Sequence, residues 1–311
     1  MNSPGAAARP AGPGYPEPVT SVMGVLNVTP DSFSDGGRWY DHDLAVAHGL
    51  DLVAQGADIV DVGGESTRPG AEPVTAAEEL RRVLPVVEAL APHVRVSVDT
   101  RKREVAEAAV AAGATLLNDV SASLWPVAAE SGVGWIAMHM PADPRVMADH
   151  AQYGDVVTEV RDHLTARAEA AASAGVTEIW IDPGIGFGKT AAHNLALLRH
   201  LDLLVATGWP VAVGTSRKTF LGALAARPDG AVPGPDDRLE GSVATATWAI
   251  SAGVDIVRVH DVVPTVWAAR RAPPGPDPTA LNPTASNPTA SDPTPSDPTA
   301  PTPPVTSGVA S

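Results

Sequence analysis

The chain reads as an α/β protein closed into a TIM-type (β/α)₈ barrel, and three observations carry that reading. Short β-branched runs alternate strictly with alanine-rich helical patterns. The apolar part of each run is nearly continuous, as parallel strands buried on both faces require. Almost every run ends in polar residues where the next loop begins, the face on which such barrels carry their chemistry. An open doubly wound sheet is the alternative. It would want a GxGxxG turn after its first strand, and Val25-Leu26-Asn27-Val28-Thr29-Pro30-Asp31 offers none.

In order, the first strand is 22–28, apolar up to Asn27, and helix 43–55 follows and stops at Gly56. Strand 59–64 leads into Glu65-Ser66-Thr67-Arg68 and then helix 75–90. Strand 94–100 carries Asp99, and helix 103–112 stops at Gly113. Strand 115–120 ends in Asn118-Asp119; the next stretch, 121–131, is short and holds Pro126, so the fourth helix is the weakest element. Strand 134–140 carries Met138 and His139, and helix 153–174 stops at Gly175. Strand 179–184 contains Asp182, and helix 194–207 stops at Gly208. Strand 211–215 runs into Ser216-Arg217-Lys218, and helix 239–252 stops at Gly253. Strand 255–260 carries Arg258 and His260, and a short last helix, 264–271, gives way at Pro273.

The ends differ in kind. Residues 1–18 are rich in Pro, Gly and Ala, and 273–311 is a near-repeat built on Asn/Asp-Pro-Thr. A proline every few residues prevents helix interiors and central strands, so both are expected to be disordered, flanking a single barrel domain at 19–272. Over the 311 residues, 44% hydrophobic and 18% charged content fits a globular body. A net charge of −15 with no dense Lys/Arg run argues against nucleic acid or an anionic membrane as partner. The absence of cysteine excludes disulfides, thiolate zinc sites and a cysteine nucleophile. No apolar run reaches about 18 residues and no signal-peptide core is present, so the expected location is cytoplasmic.

Chemically the strand ends fall into three groups. Asp99, Asn118 and Asp182 suit a flat heterocycle with a guanidine-like edge, because a carboxylate accepts parallel N–H bonds from such an edge. Arg68, Lys218, Arg258 and His260 are cationic or able to become so, and suit a phosphate or an aromatic carboxylate. Asn27 with the Asp31 loop offers oxygen ligands for a hard cation, and Mg²⁺ on a pyrophosphate needs few protein ligands. Too few histidines stand near Asp99 and Asp182 for a zinc hydrolase. The run 184–190, GIGFGKT, imitates a phosphate loop, but Pro183 occupies the position where the first glycine belongs, so it reads as a glycine-rich βα loop. His42, His48, His93 and His163 are expected to be solvated, and Trp135 and Trp180 to be packing residues.

These residues resemble a known family. The run 22–37, VMGVLNVTPDSFSDGG, resembles the first signature of dihydropteroate synthases, and 61–70, DVGGESTRPG, resembles the second. Three further blocks match in order: 182–189, DPGIGFGK; 216–218, SRK; and 258–261, RVHD. The likeness covers residues 20–270. It implies a transferase that joins 6-hydroxymethyl-7,8-dihydropterin pyrophosphate to p-aminobenzoate, releasing pyrophosphate and giving 7,8-dihydropteroate. It implies that Asp99, Asn118, Met138, Asp182, Lys218 and Arg258 hold the pterin. Asn27, Thr67, Arg258 and His260 would hold the pyrophosphate, with Asn27 on Mg²⁺. Arg68, Pro69, Phe187, Ser216 and Lys218 would form the p-aminobenzoate side, where sulfonamides compete in family members. Lys218, Arg258, His260 and Asp99 would carry the catalysis, and a homodimer is implied as well.

Overall fold

The computed structural model describes residues 20–29, 42–66, 71–147, 149–226 and 229–271. The N-terminal segment 1–18, the tail 273–311, Asp31, Thr67, Arg68 and Pro69 lie outside the described residues.

Strands and helices alternate along the chain: β1 (Ser21–Asn27), α1 (His42–Ala54), β2 (Ile59–Gly63), α2 (Ala76–Leu90), β3 (Arg95–Asp99), α3 (Arg103–Ala111), β4 (Leu116–Asp119), α4 (Trp125–Ser131) and β5 (Gly134–Met138). They continue as α5 (Val156–Ser173), β6 (Ile179–Asp182), α6 (Ala191–Arg199), α7 (Leu201–Val205), β7 (Ala212–Val213), α8 (Thr219–Leu224), α9 (Leu239–Ser251), β8 (Ile256–Val259) and α10 (Val262–Ala269). All pairings are parallel, in the order β6-β5-β4-β3-β2-β1-β8-β7. A parallel bridge from Ile181 to Val211 and a bond from Ile181 N to Pro210 O, 2.9 Å, join β6 to β7 and close the ring. The eight-stranded (β/α)₈ barrel read from the alternation is therefore the architecture found.

Two apolar shells hold it. Outward-facing residues such as Val60, Val62, Val96, Val98 and Leu117 pack under the helices, while Met23, Ile59, Leu116, Ile136, Ala212 and Ile256 fill the barrel interior. Gly56, Gly113, Gly175, Gly208 and Gly253 all take positive φ, as their place after helix ends required.

Local departures have local causes. α4 does form, because Pro126 sits in its first turn, where no intrahelical N–H is needed. The helix read at 194–207 begins earlier, capped by Thr190, and breaks at His200 into α6 and α7. β7 is only two residues long, and the six-residue α8 was not read from the sequence. Pro85 lies inside α2 and cannot donate to the carbonyl of Arg81; His42 Nε2 lies 3.0 Å from that oxygen and takes up the bond. His42, expected to be solvated, thus has a structural partner. Trp135 is fully buried, as expected of a packing residue, with its indole N–H donating to Asp119, 3.0 Å. Among the described residues no helix is long and apolar enough to cross a membrane.

Candidate active site

The two-residue period of a strand turns the interior apolar layer into a site within a few ångströms. Two positions beyond Ile59, Leu116, Ile136, Trp180 and Ile256, the same inward face carries Asp61, Asn118, Met138, Asp182 and Arg258. Asn27, Asp99 and His260 face inward nearer the mouth. Because all strands are parallel, these residues open together at the C-terminal rim.

Arg258 links the acids. Its Nε donates to Asp61 Oδ2, 2.6 Å, and its Nη2 to Asp99 Oδ2, 2.8 Å. Asn118 Nδ2 donates to the same Asp61 oxygen, 2.9 Å. Asp61 Oδ1, Ser97 Oγ and Asp99 Oδ1 are buried and have no hydrogen-bond partner among the described residues. Asp182 Oδ1 accepts from Gly184 N, 2.7 Å, which fixes the start of the glycine-rich loop. Lys218 Nζ donates to Ile185 O, 2.7 Å, and stands 4.0 Å from the centre of the Phe187 ring. Ser216 Oγ accepts from His260 N and pairs with His260 Nδ1, both 3.1 Å.

Burial sets the protonation of these groups. It raises Asp99 to about 7, with Arg258 pulling down and Asp61 pushing up. Burial raises Asp182 too, against the bond from Gly184 and the charge of Lys218. It lowers Lys218 to about 7, with Arg258 acting the same way and Asp182 opposing. Burial opposes the charge on Arg258, but Asp61 and Asp99 more than offset this and raise its pKa. His260 falls to about 3 through burial and the neighbouring Arg258 and Arg217. Burial and these cations favour the neutral imidazole at His260, which offers a hydrogen bond in place of a charge.

Two loops shape the mouth. In the loop after β6, Lys189 Nζ donates to the carbonyls of His139, Gly184 and Phe187 at 3.3, 3.0 and 3.1 Å and lies 3.0 Å from His139 Nδ1. Gly184 has φ +65 and abuts the His139 carbonyl so closely that a Cβ would run into it. In the loop after β7, Arg217 adopts φ 58 and forks onto Asp261 through Nε, 3.2 Å, and Nη2, 2.7 Å. That pair ties the Lys218 loop to the His260 loop.

The structure therefore gathers Asn27, Asp99, Asn118, Met138, Asp182, Phe187, Ser216, Lys218, Arg258 and His260 around one rim; Thr67, Arg68 and Pro69 lie outside the described residues. Asp119, read with Asn118 as a polar strand end, is structural: it accepts from Ser121, Ser123, Leu124 and Trp135. Asp61, Lys189 and Asp261 were missed as site-shaping residues. All three sat within the quoted motifs, and for Asp61 the strand period was a usable signal, since it shares a face with Ile59. Asn27 is the described residue whose side chain suits a hard cation by its chemistry. Gly63 leaves a space that a Cβ would fill, 3.8 Å from Asn27 Oδ1 and 3.5 Å from Asp99 Cβ, and the amide oxygen is a hard donor. Among the described residues no group of three His, Asp or Glu could hold a metal alone, so such an ion would arrive with an anionic ligand.

Comparison with known proteins agrees with this fold. The sequence profile of the family described as pterin binding enzyme matches residues 23–260. The dihydropteroate synthase of Mycobacterium leprae is 50% identical over 260 residues, covering 80% of this chain and 91% of that protein. Two solved structures of dihydropteroate synthase from Xanthomonas albilineans superpose on the fold. The one with 4-aminobenzoic acid has TM-score 0.74 and 48% identity, covering 80% of this chain and 90% of that one. The one in complex with 7,8-dihydropteroate has TM-score 0.70 and 45% identity, covering 80% and 91%. A barrel that brings acids and bases to one mouth, matched over nearly its whole folded length, places this chain in the dihydropteroate synthase family of pterin-binding enzymes.

Proposed function

We propose that the chain transfers the dihydropterin methylene group of 6-hydroxymethyl-7,8-dihydropterin pyrophosphate to the amine of p-aminobenzoate, giving 7,8-dihydropteroate and pyrophosphate. The observation that carries this reading is Arg258, which reaches the acid cluster through Asp99 and lies beside Lys218 and His260 at the same rim. One face of the mouth accepts N–H bonds and the other meets negative charge.

In this reading Asp99, Asn118 and Asp182 receive the N–H groups of the pterin, Met138 lines its pocket, and Lys218 and Arg258 complete the ring's surroundings. The C–O bond to pyrophosphate breaks with its electron pair leaving on oxygen. The dihydropterin ring delocalises the positive charge left on the methylene carbon. The arylamine lone pair then forms the C–N bond, and its proton passes to the released pyrophosphate or to water. The arylamine needs positioning more than activation, so no covalent enzyme intermediate is required. Arg258 and Lys218 meet the charge that develops on the leaving group, and neutral His260, held by Ser216, adds a hydrogen bond. Mg²⁺, with Asn27 as its protein ligand and Thr67 beside it, would neutralise pyrophosphate charge. Arg68, Pro69, Phe187, Ser216 and Lys218 would form the p-aminobenzoate side, with the Phe187 ring beneath Lys218. The reaction is assigned to the cytoplasm, consistent with the lack of cysteine.

A pyrophosphate-release assay tests the reading. Release should require the pterin pyrophosphate, p-aminobenzoate and Mg²⁺ together; release that ignores p-aminobenzoate would remove the roles given to Lys218 and Ser216.

A further inference from the structure

Asp61 is absent from the residues singled out by their position at strand ends, because it lies one step deeper, on β2, in register with Val25 and Ser97. It has no solvent exposure. A carboxylate in that position is costly unless it is paired and hydrogen-bonded, and both of its partners here belong to the site. Its Oδ2 accepts from Arg258 Nε on β8, 2.6 Å, and from Asn118 Nδ2 on β4, 2.9 Å.

That arrangement fixes directions as well as distances. Asp61 takes Nε of the guanidinium while Asp99 takes Nη2, 2.8 Å, so the plane of Arg258 is set by two bonds. The bond to Asp61 also decides which end of the Asn118 amide is spent. A carboxylate paired with a guanidinium can only accept, so the NH₂ group of Asn118 turns inward and its carbonyl oxygen is left to face the ligand. Asp99 likewise spends Oδ2 on Arg258 and keeps Oδ1 without a protein partner among the described residues. Asn118 and Asp99 thus each keep an acceptor for the ligand.

We propose that Asp61 is a positioning residue that sets the hydrogen-bond polarity of the pterin site. It turns Asn118 so that its oxygen, with that of Asp99, reads an edge made of N–H donors, and it fixes the plane of Arg258 beside them. This rests on the reading of Asn118 and Arg258 as pterin-side residues. Asp61→Asn keeps the size of the side chain but can donate to Asn118 Oδ1, which lets the Asn118 amide turn over and offer NH₂ to a ligand edge that is itself a donor.

The test is calorimetric binding of the pterin pyrophosphate with Mg²⁺, together with steady-state kinetics in p-aminobenzoate. Asp61→Asn should weaken pterin binding by roughly ten- to a hundredfold, the scale of one mismatched buried hydrogen bond. The KM for p-aminobenzoate should stay within about twofold, since Asp61 touches no group assigned to the p-aminobenzoate side. The exchanged pair Asp61→Asn with Asn118→Asp restores a donor at 61 facing an acceptor at 118, and should recover most of the lost affinity. Wild-type affinity in Asp61→Asn, or an exchanged pair no better than the single variant, overturns the proposal. If Asp61→Asn does not fold, the exchanged pair decides: a folded, pterin-binding pair supports the proposal and an unfolded one overturns it. Asn118→Ala and Arg258→Ala serve as controls. If neither weakens pterin binding, the site reading itself fails, whatever Asp61 does.

Discussion

Asp182 and Lys218 stand at the same mouth but spend their polar atoms differently, and this separates their variants. Asp182 is held by Gly184 and serves one edge of the pocket, whereas Lys218 lies over Phe187 and beside both carboxylates. Asp182→Ala should weaken pterin binding by roughly ten- to a hundredfold and leave the KM for p-aminobenzoate nearly unchanged; Lys218→Ala should damage the use of both substrates. Equal, mild effects in the two variants would contradict this map. Protonation gives a second handle at this scale. Asp99 is raised to about 7, chiefly by burial. Its accepting, ionised form is therefore lost as pH falls through about 7, well above the ordinary carboxylate range. Pterin affinity should decline toward acid with a limb near that pH, read by calorimetry across a pH series, and Asp99→Asn should shrink the limb to what Lys218, also near 7, contributes. Asp99 and Asp182 were legible in the sequence because polar residues at the ends of apolar strands are conspicuous. Asp61 shares a face with Ile59 and could have been suspected, but its part in the site shows only once its partners on β4 and β8 are known.

The α2 helix shows how an irregularity in one element is repaired by another. Pro85 leaves the carbonyl of Arg81 without its helical donor, and His42, at the start of α1, supplies one. His42→Ala should cost about 1 kcal/mol of stability by urea unfolding. In a Pro85→Ala background residue 85 regains an N–H for Arg81, so the His42 effect should shrink toward zero; an unchanged effect would show that His42 acts in some other way. The loop after β6 is repaired in the same manner, by the Lys189 ammonium gathered among carbonyls that the left-handed glycines turn inward. Element existence followed from periodicity and glycine stops, and was readable. The break at His200, the two-residue β7 and the short α8 were not, because each depends on how neighbouring elements meet and leaves no period of its own.

For the whole molecule, α9 and α10 pack against each other and leave Trp248, Val263 and Trp267 exposed at 55%, 47% and 58%. Truncation after residue 272 should leave turnover unchanged, since every residue assigned to the site precedes it; a large loss would give the Pro/Thr segment a role that the barrel does not explain. By itself the sequence determined the alternation of strands and helices, the all-parallel barrel that follows from it, and the rim on which chemistry-bearing residues had to collect. Those are consequences of local periodicity and chain direction, which any single stretch of sequence displays. Only the tertiary structure decided which acid holds which base, that burial lowers the pKa of His260, and that Asp61 meets both Asn118 and Arg258. These depend on burial and on contacts between residues as far apart as Asp61 and Arg258, which are joined when the ring of strands closes.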